Sequence, residues 1–257
     1  MQWHFLTSPP GSGDYNMAFD EALMRWSTRH ESAAFRVYGW SSPTLSLGRN
    51  QRARGLYNME AARSLGVGFV RRPTGGRALL HHREITYSVA LPVPDAGAAR
   101  VMYDFINGLL IGAMRGLGAD ASLATQTFAL PPGPRPCFDV PSAHEIVIGT
   151  RKLVGSAQWR HENALLQHGS ILVHDDQALI ARLMFTPDGT TPPPQAATLR
   201  QALGHEPDLE EVGGALCRAL RAATGEPPRA FEPDDVLLGE VNRLSEGYRD
   251  DAWTWRR

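Results

Sequence analysis

Two side chains in this sequence, Cys137 and Lys152, could together carry out nucleophilic chemistry. Cys137 lies in the stretch RPCFDVPS, where a proline-rich loop ends, and Lys152 lies in RKLVGSAQ, fifteen residues later. A thiol becomes a good nucleophile when a nearby cation lowers its pKa, and an ammonium group can be that cation. A hairpin between the two residues permits the contact but does not require it. An inert, half-buried thiol and a solvent-exposed lysine are therefore the alternative interpretation.

Composition draws further attention to Lys152. The chain has 26 Lys and Arg residues, and Lys152 is the one lysine among them. A GC-rich genome explains the arginine bias, but an ammonium is a compact point charge that can lose its proton, which a guanidinium cannot do. The other cysteine, Cys217, lies among small and apolar residues of a predicted helix, which is typical of a structural thiol.

A basic, glycine-rich motif covers residues 71–77, RRPTGGR, directly after the apolar run GVGFV. Consecutive glycines let the backbone approach a ligand closely, and paired arginines are suited to carboxylate or phosphate. The motif is neither a Walker A loop nor a dinucleotide fingerprint, and a plain turn beside a solvated basic surface would also explain it. The predicted substrate contacts here are Arg71, Arg72, Gly75, Gly76 and Arg77.

Two more groups are candidates for contact with substrate. In His81-His82, neighbouring strand residues point to opposite faces, so we expect one ring to face the site and the other to face solvent. His81 is included among the expected substrate contacts. Gly155, Ser156 and Ala157, just after Lys152, carry small side chains past which a ligand can approach the backbone. The nine histidines are scattered without metal-ligand spacing, so we expect no metal site.

The elements that must position these residues alternate irregularly. Helices are predicted over residues 14–28, 102–117, 175–185, 208–220 and 233–249, with Gly118 ending the second and an Asp208/Glu211 capping box starting the fourth. Strands are predicted over 34–38, 44–47, 66–71, 86–91, 145–148, 152–154 and 165–173. This order favours an α+β fold with a catalytic domain at residues 1–200 and a small helical appendage, packed on the same body, at 201–257.

Charge and hydropathy exclude several classes of protein. The 257 residues include 26 basic and 27 acidic side chains, which argues against a protein that binds nucleic acid through bulk charge. No apolar run is long enough to span a membrane, no secretory signal is evident, and two cysteines do not make a disulfide scaffold. We expect a cytoplasmic protein with neither nucleic acid nor membrane as a partner.

The motifs RRPTGGRALLH and RKLVGSAQ, with NMAFDEAL, LLQHGSILV and DAWTWRR, resemble the lipoate–biotin protein ligase superfamily. The resemblance covers most of the chain. It implies a mixed β-sheet flanked by helices, similar to the catalytic core of class II aminoacyl-tRNA synthetases and of biotin ligases. It also adds Gln158 and His168 to the expected substrate contacts.

Within that superfamily, CFDVPSAHEIVIGTRKLVGSAQ resembles the cysteine-dependent octanoyltransferases of Gram-positive bacteria. The resemblance implies that Cys137 is the nucleophile and Lys152 its partner. It implies octanoyl-acyl carrier protein as donor and, as acceptor, a lipoyl domain or the glycine-cleavage H protein. It implies no cofactor.

Two alternatives stay open. The first is a lipoate–protein ligase, which would need ATP and Mg²⁺ to form an acyl-adenylate. Arg77 stands where many such ligases have a third glycine, which weakens that interpretation. The second is a non-catalytic subunit that binds acyl groups or carrier proteins.

Overall fold

A computed structural model describes residues 1–124, 145–185 and 195–257. Its main element is an eight-stranded mixed sheet in the order β11-β1-β2-β6-β10-β9-β8-β7, and a second sheet has the order β4-β3-β5. The strands are β1 (Trp3–Thr7), β2 (Ala33–Tyr38), β3 (Thr44–Leu47), β4 (Gly68–Arg71), β5 (Leu79–His81), β6 (Glu84–Pro92), β7 (Ala121–Leu123), β8 (Ile146–Ile148), β9 (Arg151–His161), β10 (Ala164–Leu172) and β11 (Arg229–Ala230).

Helices cover both faces of the large sheet. They are α1 (Gly13–Arg29), α2 (Met59–Ser64), α3 (Ala96–Leu117), α4 (Leu179–Leu183), α5 (Leu199–Leu203), α6 (Leu209–Thr224), α7 (Asp235–Arg249) and α8 (Asp251–Thr254). One face packs against α3 and α6 through a core that includes Phe35, Val89 and Leu110. The opposite face packs against α1 and α7 through a core that includes Phe19, Leu166 and Val241.

The centre of the sheet is an antiparallel ladder in which β10 pairs with both β6 and β9. Every residue of β10 is buried, because helices lie on both faces. A strand buried on both sides normally reads as a continuous apolar run, yet β10 carries Gln167, His168 and Ser170 in its middle. Buried polar groups need hydrogen-bond partners, so this ladder is where a polar site is expected.

The small sheet holds the glycine-rich segment. β3 pairs in parallel with β4 and antiparallel with β5, so residues 72–78 connect the two outer strands of this sheet. Its apolar side packs against α2, α4 and the C-terminal Trp255 through a core that includes Leu45, Leu80 and Leu183. The segment is thus anchored at both ends to a packed layer.

The predicted α+β class with a mixed sheet flanked by helices is confirmed. Gly118 ends α3 in the left-handed region, with φ of 103°, and the Asp208 carboxylate accepts from the Glu211 N–H at the start of α6. Several predicted bounds are wrong. α3 begins at Ala96, six residues before the predicted start, and α6 continues to Thr224 instead of ending at residue 220. β9 runs on to His161 rather than ending at residue 154, and the helix expected over 175–185 is reduced to α4 because Gln177 binds both backbone groups of Leu80.

The C-terminal segment does not form a separate layer. α6 packs on α3, β11 extends the large sheet beside β1, and α7 packs on α1. Residues 201–257 therefore lie on both faces of the body, and the boundary at residue 200 stays a prediction. Within the described residues, no helix is both long and apolar enough to cross a membrane.

Candidate active site

A narrow cleft lies between the small sheet, α1 and the β9–β10 ladder. Its walls combine apolar or very small residues with a few convergent polar groups, as is typical of ligand sites. Seven of its lining residues are predicted substrate contacts: Arg72, Gly76, His81, Gly155, Ser156, Ala157 and His168. The others are Met17, Tyr38, Leu79, Thr86 and Gly169.

The glycine-rich segment forms one edge of the cleft. Gly76 has φ of +98°, a conformation that glycine adopts without strain. A Cβ on the adjacent Gly48 would lie 2.0 Å from the Gly76 carbonyl oxygen, so two backbones meet here without room for a side chain. Arg72 fixes this turn by donating to the carbonyl oxygens of Gly75 (2.8 Å) and Arg77 (2.7 Å).

His168 is held in one orientation by partners on both ring nitrogens. Its Nδ1 lies 3.0 Å from Asp20 Oδ2, and its Nε2 lies 2.7 Å from Thr74 Oγ1. A carboxylate can only accept, so Nδ1 carries a proton, and the Thr74 hydroxyl bonds to Nε2. The result is a buried carboxylate–imidazole–hydroxyl series at the wall of the cleft.

Asp20 is the most heavily bonded carboxylate of this region. It is fully buried and accepts from Arg36 (3.0 Å), Tyr38 (2.8 Å) and Ser88 (2.7 Å) as well as from His168. Burial alone would raise its pKa, but the hydrogen bond from His168 and the Arg36 charge lower the pKa below its ordinary value. Asp20 therefore stays ionised and fixes His168.

His81 belongs to a second series of the same kind. Its Nδ1 lies 3.0 Å from Glu84 Oε1, its Nε2 lies 2.8 Å from Ser46 Oγ, and its ring stacks on Trp40 with centroids 3.9 Å apart. Burial lowers the pKa of His81; Glu84 raises it, and the Arg72 charge lowers it further. The net direction is downward, so this ring is neutral near pH 7. As predicted, its neighbour His82 points outward, towards Asp176.

At Gly169, which also lines the cleft, neighbouring groups approach the backbone too closely to leave room for a side chain. A Cβ there would lie 2.6 Å from the Gly155 carbonyl oxygen and 2.7 Å from Tyr87 Cε1. Tyr87 in turn lies 2.7 Å from the Ser156 hydroxyl and accepts from Gln167 at 2.9 Å. These contacts fix the position of Ser156 at the cleft wall.

Lys152 is buried on β9, three residues before Gly155. Its Nζ donates to Glu145 Oε1 at 2.6 Å, and its side chain is 1% exposed. Cys137 lies outside the described residues, so its predicted contact with Lys152 stays a prediction. Cys217 is partly buried on α6, where burial raises the pKa of its thiol. Among the residues that the structure describes, no three His, Cys, Asp or Glu side chains gather where they could hold a metal ion.

Four predicted contacts do not line the cleft. Arg71 and Arg72 are strand neighbours and point to opposite sides, so Arg71 donates instead to the carbonyl oxygens of Gly48 and Thr254. Gly75 and Arg77 offer their carbonyl oxygens to Arg72 rather than to the cleft. Gln158 bonds to Gln167 on the α3 side of the sheet.

Sequence reasoning missed the residues that orient the histidines. Asp20 lies four residues after Asn16 beside the apolar stripe of α1, and both are fully buried. Polar residues at this spacing on the inner face of a helix were the available signal. Glu84, three residues after His81, gave a similar signal, whereas Gly169 looks like any other glycine until the neighbouring backbone is seen.

Comparison with known proteins identifies the family of this chain. Residues 12–221 match the family Lipoyl protein ligase A/B catalytic domain. Octanoyltransferase LipM of Kyrpidia tusciae is 39% identical over 99% of both chains, and octanoyltransferase LipM of Lysinibacillus sphaericus is 41% identical over 99% of both chains. Octanoyltransferase LipM of Bacillus subtilis is 33% identical over 99% of this chain and 98% of its own.

Solved structures show the same fold at lower identity. A lipoate-protein ligase A bound with ATP superposes with a TM-score of 0.82 at 21% identity, over 99% of both chains. A lipoate protein ligase of Thermoplasma acidophilum, described with its E2 lipoyl domain, gives 0.81 at 21% identity, over 99% of this chain and 96% of the other.

The predicted family, fold class and acyltransferase activity are confirmed by these findings. The relatives that match over the full length are octanoyltransferases, whereas the ligases share the fold at lower identity. This chain belongs to the lipoyl protein ligase A/B catalytic-domain family and, within it, groups with the octanoyltransferases.

Proposed function

We propose that this octanoyltransferase takes octanoate from the thioester of acyl carrier protein, holds it on Cys137, and passes it to a lysine of a lipoyl domain or of the glycine-cleavage H protein. One observation carries the proposal. Lys152, the chain's one lysine, is buried on β9 in an ion pair with Glu145, three residues before Gly155 of the cleft, and a lysine is almost never fully buried unless it is paired.

The sequence places the nucleophile close to that lysine along the chain. Cys137 precedes Glu145, the ion-pair partner of Lys152, by eight residues. An ammonium next to a thiol favours the thiolate, which is the nucleophilic form. The proposed role of Lys152 is to stabilise the Cys137 thiolate and then the negative charge on the carbonyl oxygen.

The reaction then proceeds in two balanced steps. The Cys137 thiolate attacks the donor thioester carbon, the new C–S bond forms, and the carrier thiolate leaves and takes a proton. The acceptor lysine, as free amine, attacks the resulting thioester, the amide bond forms, and Cys137 leaves as thiolate while the amine proton is released. A thioester is converted to an amide, which is downhill, so the reaction as proposed uses no nucleotide and no metal.

The cleft suits an unbranched acyl chain. Gly76, Gly155 and Gly169 have no side chains to fill the cleft, and Met17 and Leu79 supply apolar surface. Burying methylene groups contributes about 0.8 kcal/mol each, so a chain of eight carbons gains several kcal/mol of recognition. Gly76, His81, Ser156 and His168 are the proposed contacts around the reacting carbonyl group.

The test compares the two cysteines. Cys137→Ser is expected to reduce octanoyl transfer to a lipoyl domain by at least about a thousandfold, because a hydroxyl at neutral pH lacks thiolate character. Cys217→Ser, the matched control, is expected to stay within about twofold of wild type, since that thiol is structural. Equal activity of the two variants would rule out the cysteine mechanism.

A second variant isolates the lysine. Lys152→Arg keeps a charge but places it on a planar, bulkier group. The pH profile of Cys137 alkylation is expected to move to higher pH, because the thiolate loses its correctly placed counter-charge and the pKa of the thiol rises. An unchanged profile would contradict the role of Lys152. Pyrophosphate exchange that depends on ATP and a free acid would instead support the ligase. The cytoplasmic location stays a prediction of this function.

A further inference from the structure

A second cavity, the arginine groove, adjoins the cleft. It has a volume of about 340 Å³, and its walls include Glu21, Arg49, Trp159, Tyr248 and Trp253. Three separate elements run from the cleft into this groove. On α1, Met17 lines the cleft and Glu21, one turn later, lines the groove.

The other two elements show the same order. On β9, Ala157 lines the cleft, and Trp159 lines the groove from the same face of the strand. In the loop after β3, Gly48 packs on Gly76 of the cleft, and Arg49 follows in the groove with its N–H bonded to the Thr74 carbonyl oxygen at 2.8 Å. The groove is therefore the outward continuation of the cleft.

Positive charge gathers at this groove, because Arg49 lines it and Arg256 stacks on Trp253, another of its lining residues. Arg49 and Arg256 form no ion pair with any described residue, although Arg256 donates to the Arg49 carbonyl oxygen. Burial and the like charges of Arg49 and Arg257 lower the pKa of Arg256. Burial and the charges of Arg256 and Arg257 lower the pKa of the adjacent Arg71 to about 10.

The acidic residue of the groove is already engaged. Glu21 accepts from Arg25 at 2.5 Å and from the Tyr248 hydroxyl at 2.6 Å. Like charges repel, so an anion that binds among these arginines reduces the electrostatic repulsion between them.

Aromatic rings fix these arginines in place. The Arg49 guanidinium lies 5.1 Å from the Trp159 ring centroid and 5.8 Å from that of Trp253, and the Arg256 guanidinium lies 4.1 Å from Trp253. Stacked guanidinium groups lose little further freedom when they bind an oxyanion, and their planar forks match phosphate.

We infer that the arginine groove binds the phosphodiester of the carrier protein's prosthetic arm while its acyl end lies in the cleft. This inference rests on the proposed function. The acceptor presents a lysine, whose positive charge is repelled by Arg49 and Arg256, whereas the donor arm carries a negatively charged phosphodiester. Charge complementarity therefore assigns the groove to the donor.

The experiment uses two small donors that differ by one phosphate: octanoyl-pantetheine and octanoyl-phosphopantetheine. Steady-state transfer to a lipoyl domain is measured for both and for octanoyl-acyl carrier protein, with wild type, Arg49→Glu and Arg256→Glu. Arg243→Glu, at an exposed position of α7 that lines neither cavity, is the matched control. Thermal melts show which variants are folded. If Arg49→Glu does not fold, Arg256→Glu takes its place in the comparison.

Charge reversal at Arg49 is expected to raise KM about tenfold for the two phosphate-bearing donors and to leave KM for octanoyl-pantetheine within about twofold. Equal KM values in Arg49→Glu and Arg243→Glu would overturn the inference. A rise for all three donors would place Arg49 in the cleft, and a rise in the acceptor's KM would assign the groove to the acceptor; either outcome also overturns it. Failure of the proposed function is recognised separately, since wild type would then transfer from none of the donors without ATP.

Discussion

The cleft and the arginine groove are neighbours, but charged side chains are paired beside the cleft, whereas arginines at the groove are unpaired among the described residues. In the cleft, Asp20 balances Arg36 and orients His168, and Glu84 orients His81. In the groove, Arg49 and Arg256 lie together without an ion pair among the described residues. A deeply buried charge must be matched within the protein, whereas a charge at a half-open groove can remain available for a ligand. The difference separates a region whose charges are paired within the protein from one whose charges can meet a ligand.

Asp20→Asn should break the charge balance of the cleft and produce the largest loss of stability. It leaves Arg36 buried without its counter-charge, which costs about 3–5 kcal/mol in the free energy of unfolding, measured by urea denaturation. Glu240→Gln, which removes the partner of the exposed Arg25 and Arg29, is the control and should cost less than about 1 kcal/mol. Equal losses would mean that the cleft pair is no more important than a surface pair.

The same variant has a defined pH dependence. The folded pKa of Asp20 is below its ordinary value of 3.8, so its contribution to stability is present above that value and is lost as the pH falls through the lower, folded pKa. The stability gap between wild type and Asp20→Asn should therefore close below pH 3.8. A gap that stays constant in acid would contradict the assigned role.

Gly169→Ala should alter the cleft and leave the groove unchanged. The added methyl group meets the Gly155 backbone and the Tyr87 ring, and overpacking of this kind costs about 1–3 kcal/mol. We expect KM to rise about tenfold or more for every donor, with or without phosphate. Gly112→Ala on α3, where a Cβ meets nothing within 4 Å, should leave KM unchanged. An effect confined to phosphate-bearing donors would contradict the separation of the two cavities.

The salt dependence of kcat/KM should also distinguish the two regions, with a smaller effect. Screening weakens the attraction of half-exposed charges, so kcat/KM for octanoyl-acyl carrier protein should fall several-fold between about 50 and 300 mM NaCl. For octanoyl-pantetheine, which is recognised by the apolar cleft, the change should stay within about twofold. Equal salt dependence for the two donors would remove the electrostatic distinction.

Arg49→Lys should give the smallest effect. It keeps the charge but loses the planar fork and most of the stacking on Trp159 and Trp253. We expect KM for phosphate-bearing donors to rise about two- to fivefold, less than for Arg49→Glu. A rise as large as that of the charge reversal would show that geometry, not charge, dominates the groove.

Much of the site follows from the sequence, because special backbone and small residues leave a visible signal. Gly76, His81 and the run from Gly155 to Ala157 stand out by type and spacing, and they do converge on one cleft. The length of β9 does not follow, because Gly155, Ser156 and Gln158 are poor strand formers that only a full ladder with β10 holds extended.

Other parts depend on tertiary contacts that one sequence does not display. Asp20 reads as an ordinary helix acid until Arg36 and His168 are brought against it. Arg71 and Arg72 look equivalent in the sequence, but the pleat of a strand sends one to the cleft and the other to the C-terminal segment. The arginine groove likewise unites residues from α1, β9, α7, α8 and the loop after β3, and no local sequence pattern predicts it.

The central claim is a cysteine-bound acyl intermediate, and intact-protein mass spectrometry tests it most directly. The protein is mixed with octanoyl-acyl carrier protein without ATP. The adduct is tested for release by hydroxylamine, and peptide mapping locates the modified residue. The account predicts one octanoyl group, labile to hydroxylamine, on Cys137. An unmodified protein, with an acceptor domain labelled only when ATP and free octanoate are supplied, would contradict it and identify a ligase.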